Sequence, residues 1–216
     1  MNEALARIEW VYAADSAEDL RDRYDVWAEV YDRHVQEALG YTGAQRAAAE
    51  LARLLPASVR VLDAGAGTGL VGAALNALGF SRICAVDLSP RMIGQARAKA
   101  VYDGHVVADI GHPLPFDPEF DAVIACGVFT IGHAPARAIG NLLDVLRPDG
   151  LLCLTLRADS TAVRFHEELS RLETLKRATR PEFFPPFRCF SEDTGSTSLQ
   201  IVLCRRPGSG AGDIGP

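Results

Sequence analysis

The sequence predicts an α/β fold with a Rossmann-like, doubly wound and mainly parallel seven-stranded sheet that ends in an antiparallel C-terminal edge strand. Three observations support this prediction. Short apolar segments alternate with amphipathic helical segments from residue 59 onward. A glycine-rich loop follows the first apolar segment. The last apolar segment follows an aromatic and proline-containing stretch instead of an alternating helix, which is typical of an antiparallel closing strand.

Two helices are predicted ahead of the first strand. Residues 16–39 carry apolar side chains at spacings of three to four, and Ser16 is a suitable N-cap. Residues 42–45, Thr-Gly-Ala-Gln, form a capping-box pattern that opens a second helix, and Pro56 ends it. We expect residues 1–40 to form a helical lid on the domain.

The alternating region supplies the sheet and its covering helices. Predicted strands cover residues 59–63, 83–87, 106–108, 121–126 and 151–156, and predicted helices cover residues 70–78, 90–101 and 136–146. Ser89 and Pro90 favour a helix start as N-cap and first-turn proline. A helix carrying Val163 to Leu172 and a final strand, Leu199 to Cys204, complete a domain placed at residues 1–206. The glycine-rich tail, residues 207–216, is predicted to be disordered.

Composition narrows the function classes. The chain has 216 residues and a net charge of −6, and a nucleic-acid partner is disfavoured because phosphate neutralisation needs a basic surface. The longest apolar stretch, residues 122–132, is shorter than the roughly 18–20 residues that span a bilayer. Residues 1–4 lead into no apolar signal segment. Five scattered cysteines without a CxxC pair predict buried thiols in a cytoplasmic protein.

The most informative segment is the loop Asp63-Ala64-Gly65-Ala66-Gly67-Thr68-Gly69 after the first strand. Glycines at alternate positions permit positive φ and let the backbone approach a ligand. Residues 67–72 also match G-x-G-x-x-G, which leaves an NAD(P)-dependent oxidoreductase open. Asp63 opposes that interpretation, because a carboxylate at the strand end suits a cationic group and repels pyrophosphate. Asp87, placed where an acidic residue binds a ribose diol, suits both ligands.

Three motifs occur in a fixed order: the loop at residues 63–69, Val86-Asp87-Leu88-Ser89-Pro90-Arg91-Met92, and Ala108-Asp109. Together they resemble the class I S-adenosylmethionine (SAM)-dependent methyltransferases, and the resemblance covers about residues 20–157. Residues 24–32 resemble the N-terminal helix of small methyltransferases. Residues 127–129 and 132–134, Gly-Val-Phe and Gly-His-Ala, are similar to the methyltransferase-like 27 (Williams–Beuren region) group and its bacterial relatives.

The resemblance implies SAM as cofactor and a role for each motif residue. The glycine loop would pack under the methionyl part, and Asp63 would stabilise the ammonium group directly or through water. Asp87 would accept hydrogen bonds from both ribose hydroxyls. Apolar side chains would enclose the adenine, with Asp109 near its exocyclic amine and Cys126 beside the methionine portion. The implied cofactor-binding residues are Asp63, Gly65, Ala66, Gly67, Gly69, Asp87, Leu88, Met92, Asp109, Ile110 and Cys126.

Three aromatic residues share one face of the predicted helix at residues 16–39: Tyr24, Trp27 and Tyr31. They bury that helix against the domain, or they also cover cofactor and acceptor as a lid. The two roles are compatible, and we include these residues in the cofactor site.

His133 is the only titratable side chain of the predicted acceptor loop, residues 127–136. Its ordinary pKa near 6.5 suits a general base for methyl transfer. The alternative is that His133 caps the helix that begins near residue 134 or 135. The choice between base and cap stays open at this point.

The acceptor is expected to be a small molecule methylated on oxygen, nitrogen or sulfur. Residues 125–128 lack the Asn/Asp-Pro-Pro-Tyr/Phe run of enzymes that methylate base or amide nitrogens, and no acidic pair there suggests a metal. Phe129 and Arg157 are candidate acceptor contacts together with the segment at residues 158–190, although Arg157 could instead form a surface salt bridge. A non-catalytic SAM-binding protein stays an alternative, and the sequence is compatible with a homodimer.

Overall fold

The computed structural model describes residues 3–191 and 198–208. The helices are α1 (Glu3–Tyr12), α2 (Ala17–Trp27), α3 (Gly43–Leu54), α4 (Leu70–Ala77), α5 (Pro90–Ala98), α6 (Ala138–Asp144) and α7 (Val163–Thr174), with a π-helical turn at Arg33–Ala38 and a 3-10 turn at Ser160–Ala162. The strands are β1 (Val61–Ala64), β2 (Ile83–Asp87), β3 (Gly104–Val107), β4 (Phe120–Phe129), β5 (Leu146–Arg157), β6 (Glu182–Phe183), β7 (Phe187–Arg188) and β8 (Ser198–Arg205).

The predicted fold class is confirmed by the sheet, whose order is β3-β2-β1-β4-β5-β8-β6. Strands β1 to β5 pair in parallel, and β8 runs antiparallel to β5. The described residues contain eight strands where seven were predicted, because the two-residue strands β6 and β7 both pair with β8. Strand β8 is therefore covered at the edge where the sequence predicts the sheet to end.

The sheet is buried on both faces, as an alternating βαβ pattern requires. Along β1 every residue is buried, with Leu62 in one apolar cluster and Val61 in the cluster on the other side. Helices α6 and α7 pack on the first side through residues such as Ile139 and Leu169. Helices α3 and α4 pack on the second. This arrangement fixes the carboxyl ends of the parallel strands at one edge of the molecule.

The N-terminal region differs from its prediction in two respects. Helix α1 was not predicted, and the predicted helix at residues 16–39 is interrupted by a turn at residues 28–30 and by the π-helical turn. The N-cap prediction for Ser16 is confirmed, since its side chain accepts from the backbone N–H of Asp19. We call residues 17–38 the cover segment, because they lie across the carboxyl ends of the strands.

The capping box predicted at Thr42 does not form, although helix α3 begins where the sequence predicts. The Thr42 backbone N–H and hydroxyl both face the carbonyl of Cys189, at 2.8 and 3.4 Å. The side chain is thus used in a tertiary contact with the C-terminal part of the chain instead of capping its own helix.

Most of the other local predictions hold. Ser89 caps α5 by accepting from the N–H of Met92. Four of the five cysteines are buried and the fifth, Cys126, is half-buried, and none forms a disulfide. No helix in the described part of the chain is long and apolar enough to cross a membrane. The predicted disordered tail lies outside the described residues from 209 onward.

Candidate functional site

A cavity of about 300 Å³ opens at the carboxyl ends of β1, β2 and β4, beneath the cover segment. In doubly wound sheets this is the edge at which ligands bind. Twelve of the residues that the sequence assigns to the site line the cavity: Tyr24, Tyr31, Gly65, Ala66, Gly67, Asp87, Leu88, Met92, Asp109, Ile110, Cys126 and His133.

The glycine loop forms the floor of this cavity. Gly65, Gly67 and Gly69 all have positive φ, and the N–H groups of Gly65 and Ala66 both donate to the carbonyl of Val86. A Cβ on Gly65 would overlap the Val128 side chain, so this glycine permits close packing between β1 and β4. A Cβ on Gly67 would meet no protein atom within 4 Å. Gly67 therefore keeps space free beside the cavity.

Asp87 is held in a fixed orientation at the end of β2. One carboxylate oxygen accepts the N–H of Gly67 at 2.8 Å, and the other accepts the N–H of Ser89 at 2.9 Å. Burial raises the pKa of Asp87, and these two backbone hydrogen bonds oppose that shift. A carboxylate oxygen has two lone pairs, so each oxygen retains capacity for a ligand hydroxyl.

Asp63 does not line the cavity, although the sequence assigns it to the cofactor. It is fully buried at the end of β1, where Oδ2 accepts from the Tyr102 hydroxyl at 2.7 Å. Burial raises the pKa of Asp63 to about 7, and the Tyr102 hydrogen bond partly offsets this effect. Its Oδ1 has no hydrogen-bond partner among the described residues. The carboxyl group thus lies behind the glycine loop, and its contact with a ligand ammonium stays a prediction.

Gly72 explains why the chain contains an apparent dinucleotide pattern. A Cβ on Gly72 would overlap the ring of Tyr102, and the Gly72 N–H donates to the Tyr102 hydroxyl at 3.1 Å. The last glycine of the G-x-G-x-x-G match therefore packs against a tyrosine that also binds Asp63. It does not mark a pyrophosphate site.

Part of the cavity is lined by Leu88, Met92 and Ile110, which form an apolar slot beside Asp109. One oxygen of Asp109 accepts the N–H of Gly111 at 2.8 Å, and the other lies 3.7 Å from Nε2 of His112 at the rim. This combination of an apolar slot and a carboxylate suits a flat ring that carries an amino group.

His133 and Tyr24 form a hydrogen-bonded pair in the lining of the cavity. Nδ1 of His133 lies 2.7 Å from the carbonyl of Ile131, and Nε2 lies 2.7 Å from the Tyr24 hydroxyl. A carbonyl only accepts, so Nδ1 carries the proton and Nε2 of the neutral ring accepts from Tyr24. Burial lowers the pKa of His133. The ring does not cap a helix, since α6 begins only at Ala138.

A second polar pair lies close by, between Tyr41 and Cys126. The Tyr41 hydroxyl and the Cys126 sulfur are 3.2 Å apart, and both residues line the cavity. Burial raises the pKa of the Cys126 thiol to about 11, so this cysteine is protonated at neutral pH. Tyr41 is a cavity residue that the sequence analysis missed. The feature of the sequence that could have indicated Tyr41 is its position directly before the predicted second helix.

The remaining predicted site residues lie outside the cavity. Phe129 is not an acceptor contact, because its ring is buried in the core against Phe165, with ring centres 5.4 Å apart. Arg157 forms the alternative salt bridge, to Asp159 at 2.6 Å. Gly69 precedes α4 and packs near Tyr102. Trp27 is only 2% exposed and donates from Nε1 to Nδ1 of His34 at 3.1 Å.

Comparisons with known proteins define the class. A family model described as a methyltransferase domain matches residues 62–154. A TehB-like SAM-dependent methyltransferase from Corynebacterium glutamicum superposes with a TM-score of 0.62 at 21% identity, covering 86% of this chain and 98% of that one. Magnesium protoporphyrin IX methyltransferase from Synechocystis PCC 6803, solved with bound S-adenosylhomocysteine, gives 0.60 at 19% identity over 89% and 100% of the chains. The fold is that of a SAM-dependent methyltransferase.

Sequence relatives then place the chain within that class. Methyltransferase-like protein 27 from Homo sapiens is 39% identical over 178 residues, which is 78% of this chain and 71% of that protein. Malonyl-[acyl-carrier protein] O-methyltransferase from Pectobacterium atrosepticum is 29% identical over 152 residues, and the match spans only 57% of its length. The chain belongs to the class I SAM-dependent methyltransferases, in the family of methyltransferase-like protein 27.

The residues present fit SAM. Asp87 offers oriented carboxylate oxygens, Gly67 leaves space for a ligand, and the slot beside Asp109 suits an adenine ring. The NAD(P)-dependent oxidoreductase alternative is wrong, because the family is a methyltransferase family. The part of the chain that the structure describes contains no cluster of three or more His, Cys, Asp or Glu side chains able to hold a metal ion.

Proposed function

We propose that this enzyme transfers the methyl group of SAM to a nucleophilic oxygen, nitrogen or sulfur of a small molecule bound beside His133. The observation that carries the proposal is the hydrogen-bonded pair of His133 and Tyr24 in the lining of the cavity. Action in the cytoplasm without metal or nucleic acid, and a homodimer, stay predictions from the sequence.

The shape of the cavity supports a small acceptor. The cover segment lies over the glycine loop, and Tyr24, Tyr31 and Tyr41 all face the cavity beside Cys126. A ligand of low molecular weight can be enclosed there and separated from water. The net charge of −6 also disfavours a polyanionic acceptor.

Methyl transfer requires alignment more than covalent assistance from the protein. SAM, when bound, supplies an electrophilic methyl group on a positively charged sulfur. Asp87 would hold the ribose hydroxyls, and the slot formed by Leu88, Met92 and Ile110 would hold the adenine. With the cofactor bound, the cover segment above the cavity would limit the access of water to the reacting groups.

His133 can remove the proton from the acceptor. Its Nδ1–H is fixed by the Ile131 carbonyl, so the lone pair of Nε2 faces Tyr24 and the cavity. Because burial lowers the pKa of His133, the ring is neutral at physiological pH and the Nε2 lone pair is free to accept a proton. An acceptor O–H or N–H would donate to Nε2 in place of Tyr24, or through the Tyr24 hydroxyl. Either route leaves the proton on His133.

A methylation screen tests this function. The enzyme is incubated with methyl-labelled SAM and a panel of hydroxyl, amine, thiol and carboxyl compounds, and labelled small-molecule products are identified by mass spectrometry. With an ionisable acceptor, His133→Gln should lower kcat about 10²- to 10⁴-fold. Wild-type kcat/KM should hold at neutral pH and fall only at acidic pH, because the pKa of His133 lies below its ordinary value.

His166→Gln is the matched control. His166 lies on α7 against Phe183 and does not line the cavity, so this variant should retain wild-type kcat and the same pH profile. Labelling of protein or RNA without any small-molecule product would contradict the acceptor class. An unchanged pH profile in a fully active His133→Gln variant would contradict the role of His133 as base.

A further inference from the structure

The cover segment contains the same dipeptide twice, Tyr24-Asp25 and Tyr31-Asp32, separated by seven residues. The first pair lies on α2, and the second pair follows the turn at residues 28–30. Both tyrosines line the cavity, and neither aspartate does. Asp25 and Asp32 are therefore not part of the cavity lining, and each contacts another part of the protein.

Asp25 binds the start of helix α5. Its Oδ1 accepts from the Ser89 hydroxyl at 2.5 Å and from the Arg91 N–H at 3.1 Å. Ser89 also donates its backbone N–H to Asp87. Ser89 thus connects Asp25 of the cover segment to Asp87, whose carboxylate would hold the ribose.

Asp32 binds the glycine loop and the end of helix α5. Its Oδ1 accepts from the Thr68 hydroxyl at 2.5 Å, and its Oδ2 forms an ion pair with Nζ of Lys99 at 2.5 Å. Lys99 also donates to the Thr68 carbonyl at 2.8 Å. The ion pair is only partly exposed, at 25% for the Lys99 side chain and 37% for the Asp32 side chain.

We propose that Asp25 and Asp32 are positioning residues that fasten the cover segment at two points beside the cofactor cavity and thereby place Tyr24 and Tyr31. Asp25 fixes the segment to the β2–α5 side, and Asp32 fixes it to the loop after β1. Opening of either contact would free part of the cover segment above the cofactor cavity, and cofactor exchange would then be faster. This proposal requires the cofactor cavity and is independent of the nature of the acceptor.

The rate of cofactor dissociation measures directly how firmly the cover segment is held over the cavity. Dissociation of S-adenosylhomocysteine is followed by stopped-flow tryptophan fluorescence in a Trp10→Phe background, so that the signal comes from Trp27, which packs against Tyr24 and Tyr31. Each of Asp25→Ala and Asp32→Ala removes hydrogen bonds to a charged group and should raise the dissociation rate about tenfold or more. The double variant should dissociate faster than either single variant.

The matched control is Glu29→Ala. Glu29 lies between the two aspartates on the cover segment, carries the same charge, is exposed, and makes no polar contact with the described residues. The rate at which S-adenosylhomocysteine dissociates from Glu29→Ala should stay within about twofold of the wild-type rate. An exposed charge that makes no polar contact contributes little to holding the cover segment. If both aspartate variants dissociate as slowly as Glu29→Ala, the proposal is overturned.

Opening of the unliganded protein provides a second readout. Cys126 lies in the cavity, whereas the other four cysteines are buried in the core, so alkylation of Cys126 by iodoacetamide reports how often the cover segment opens. The aspartate variants should alkylate Cys126 about tenfold faster than Glu29→Ala, with the other cysteines unchanged. Equal labelling of all five cysteines would indicate general unfolding and would contradict a positioning role.

If Asp32→Ala fails to fold, Lys99→Met replaces it. This change removes the charge that binds Asp32 and keeps the length of the side chain, and Lys99 lies at the end of α5 away from the core. It should also speed dissociation of S-adenosylhomocysteine relative to Glu29→Ala. A folded Lys99→Met variant with the control's rate would overturn the part of the proposal that concerns Asp32. Faster dissociation in the aspartate variants, together with a wild-type enzyme that methylates no small molecule, would instead count against the proposed acceptor chemistry alone.

Discussion

Replacing Asp87 by asparagine tests the cofactor site with a minimal change in shape. The carboxylate oxygens accept from Gly67 N–H and Ser89 N–H, at 2.8 and 2.9 Å. An asparagine has one oxygen and one NH₂ group, so a donor would face one of these backbone donors. The new side chain would rotate or push the loop away, and it would also accept from the ribose hydroxyls more weakly.

The expected loss follows from the bonds involved. Two hydrogen bonds from ribose hydroxyls to a charged acceptor contribute about 1.5–3 kcal/mol each, or about 3–6 kcal/mol together. This corresponds to a loss of affinity of about 10²- to 10⁴-fold. Isothermal titration calorimetry with S-adenosylhomocysteine measures it, and thermal unfolding of the unliganded variant shows whether the fold is intact.

Asp103→Asn serves as the control for the change in charge. Asp103 is exposed ahead of β3, and its side chain makes no hydrogen bond within the described residues. This variant should bind S-adenosylhomocysteine as the wild type does. If folded Asp87→Asn binds within a factor of ten of the wild type, Asp87 does not hold the ribose and the reasoning fails.

Three further predictions concern the loop, the buried carboxylate and the cover segment. Gly67→Ala should fold but bind S-adenosylhomocysteine at least about tenfold more weakly, since its Cβ enters free space and its φ is positive; calorimetry at wild-type affinity would refute this. The pKa of Asp63, raised to about 7, lies above the unfolded value, so the carboxylate destabilises the unliganded fold as pH rises from about 4 to about 7. Urea unfolding should show the stability of Asp63→Asn relative to wild type increasing across that range, and a constant difference would contradict the prediction. Trp27→Ala should weaken S-adenosylhomocysteine binding in the folded variant, because it removes the ring that packs against Tyr24 and Tyr31; unchanged affinity would show that Trp27 only supports the fold.

The sequence is most predictive where local chemistry decides the structure. The β2 strand has the predicted bounds, and Ser16 and Ser89 form the predicted caps. Each of these features depends on residues close together in the chain, such as a hydroxyl three positions before a free backbone N–H. The order and spacing of the strands then determine which residues meet at the carboxyl edge of the sheet.

Predictions fail where a distant contact competes with the local pattern. Thr42 is within reach of Cys189, so its hydroxyl does not cap α3. Phe129 belongs to a strand that continues to that residue instead of ending at Cys126, which turns its ring into the core. Tyr102 fills the space beside Gly72 and binds Asp63. No periodicity in the sequence indicates a contact across 39 residues.

The most direct test of the account is the crystal structure of the enzyme with S-adenosylhomocysteine. We predict the ribose on Asp87, the adenine between Leu88, Met92 and Ile110, and the sulfur beside Cys126 beneath Tyr31. Asp25 and Asp32 should keep their contacts with α5 and the glycine loop. A ligand bound outside this cavity, or with its ribose away from Asp87, would contradict the assignment of the site.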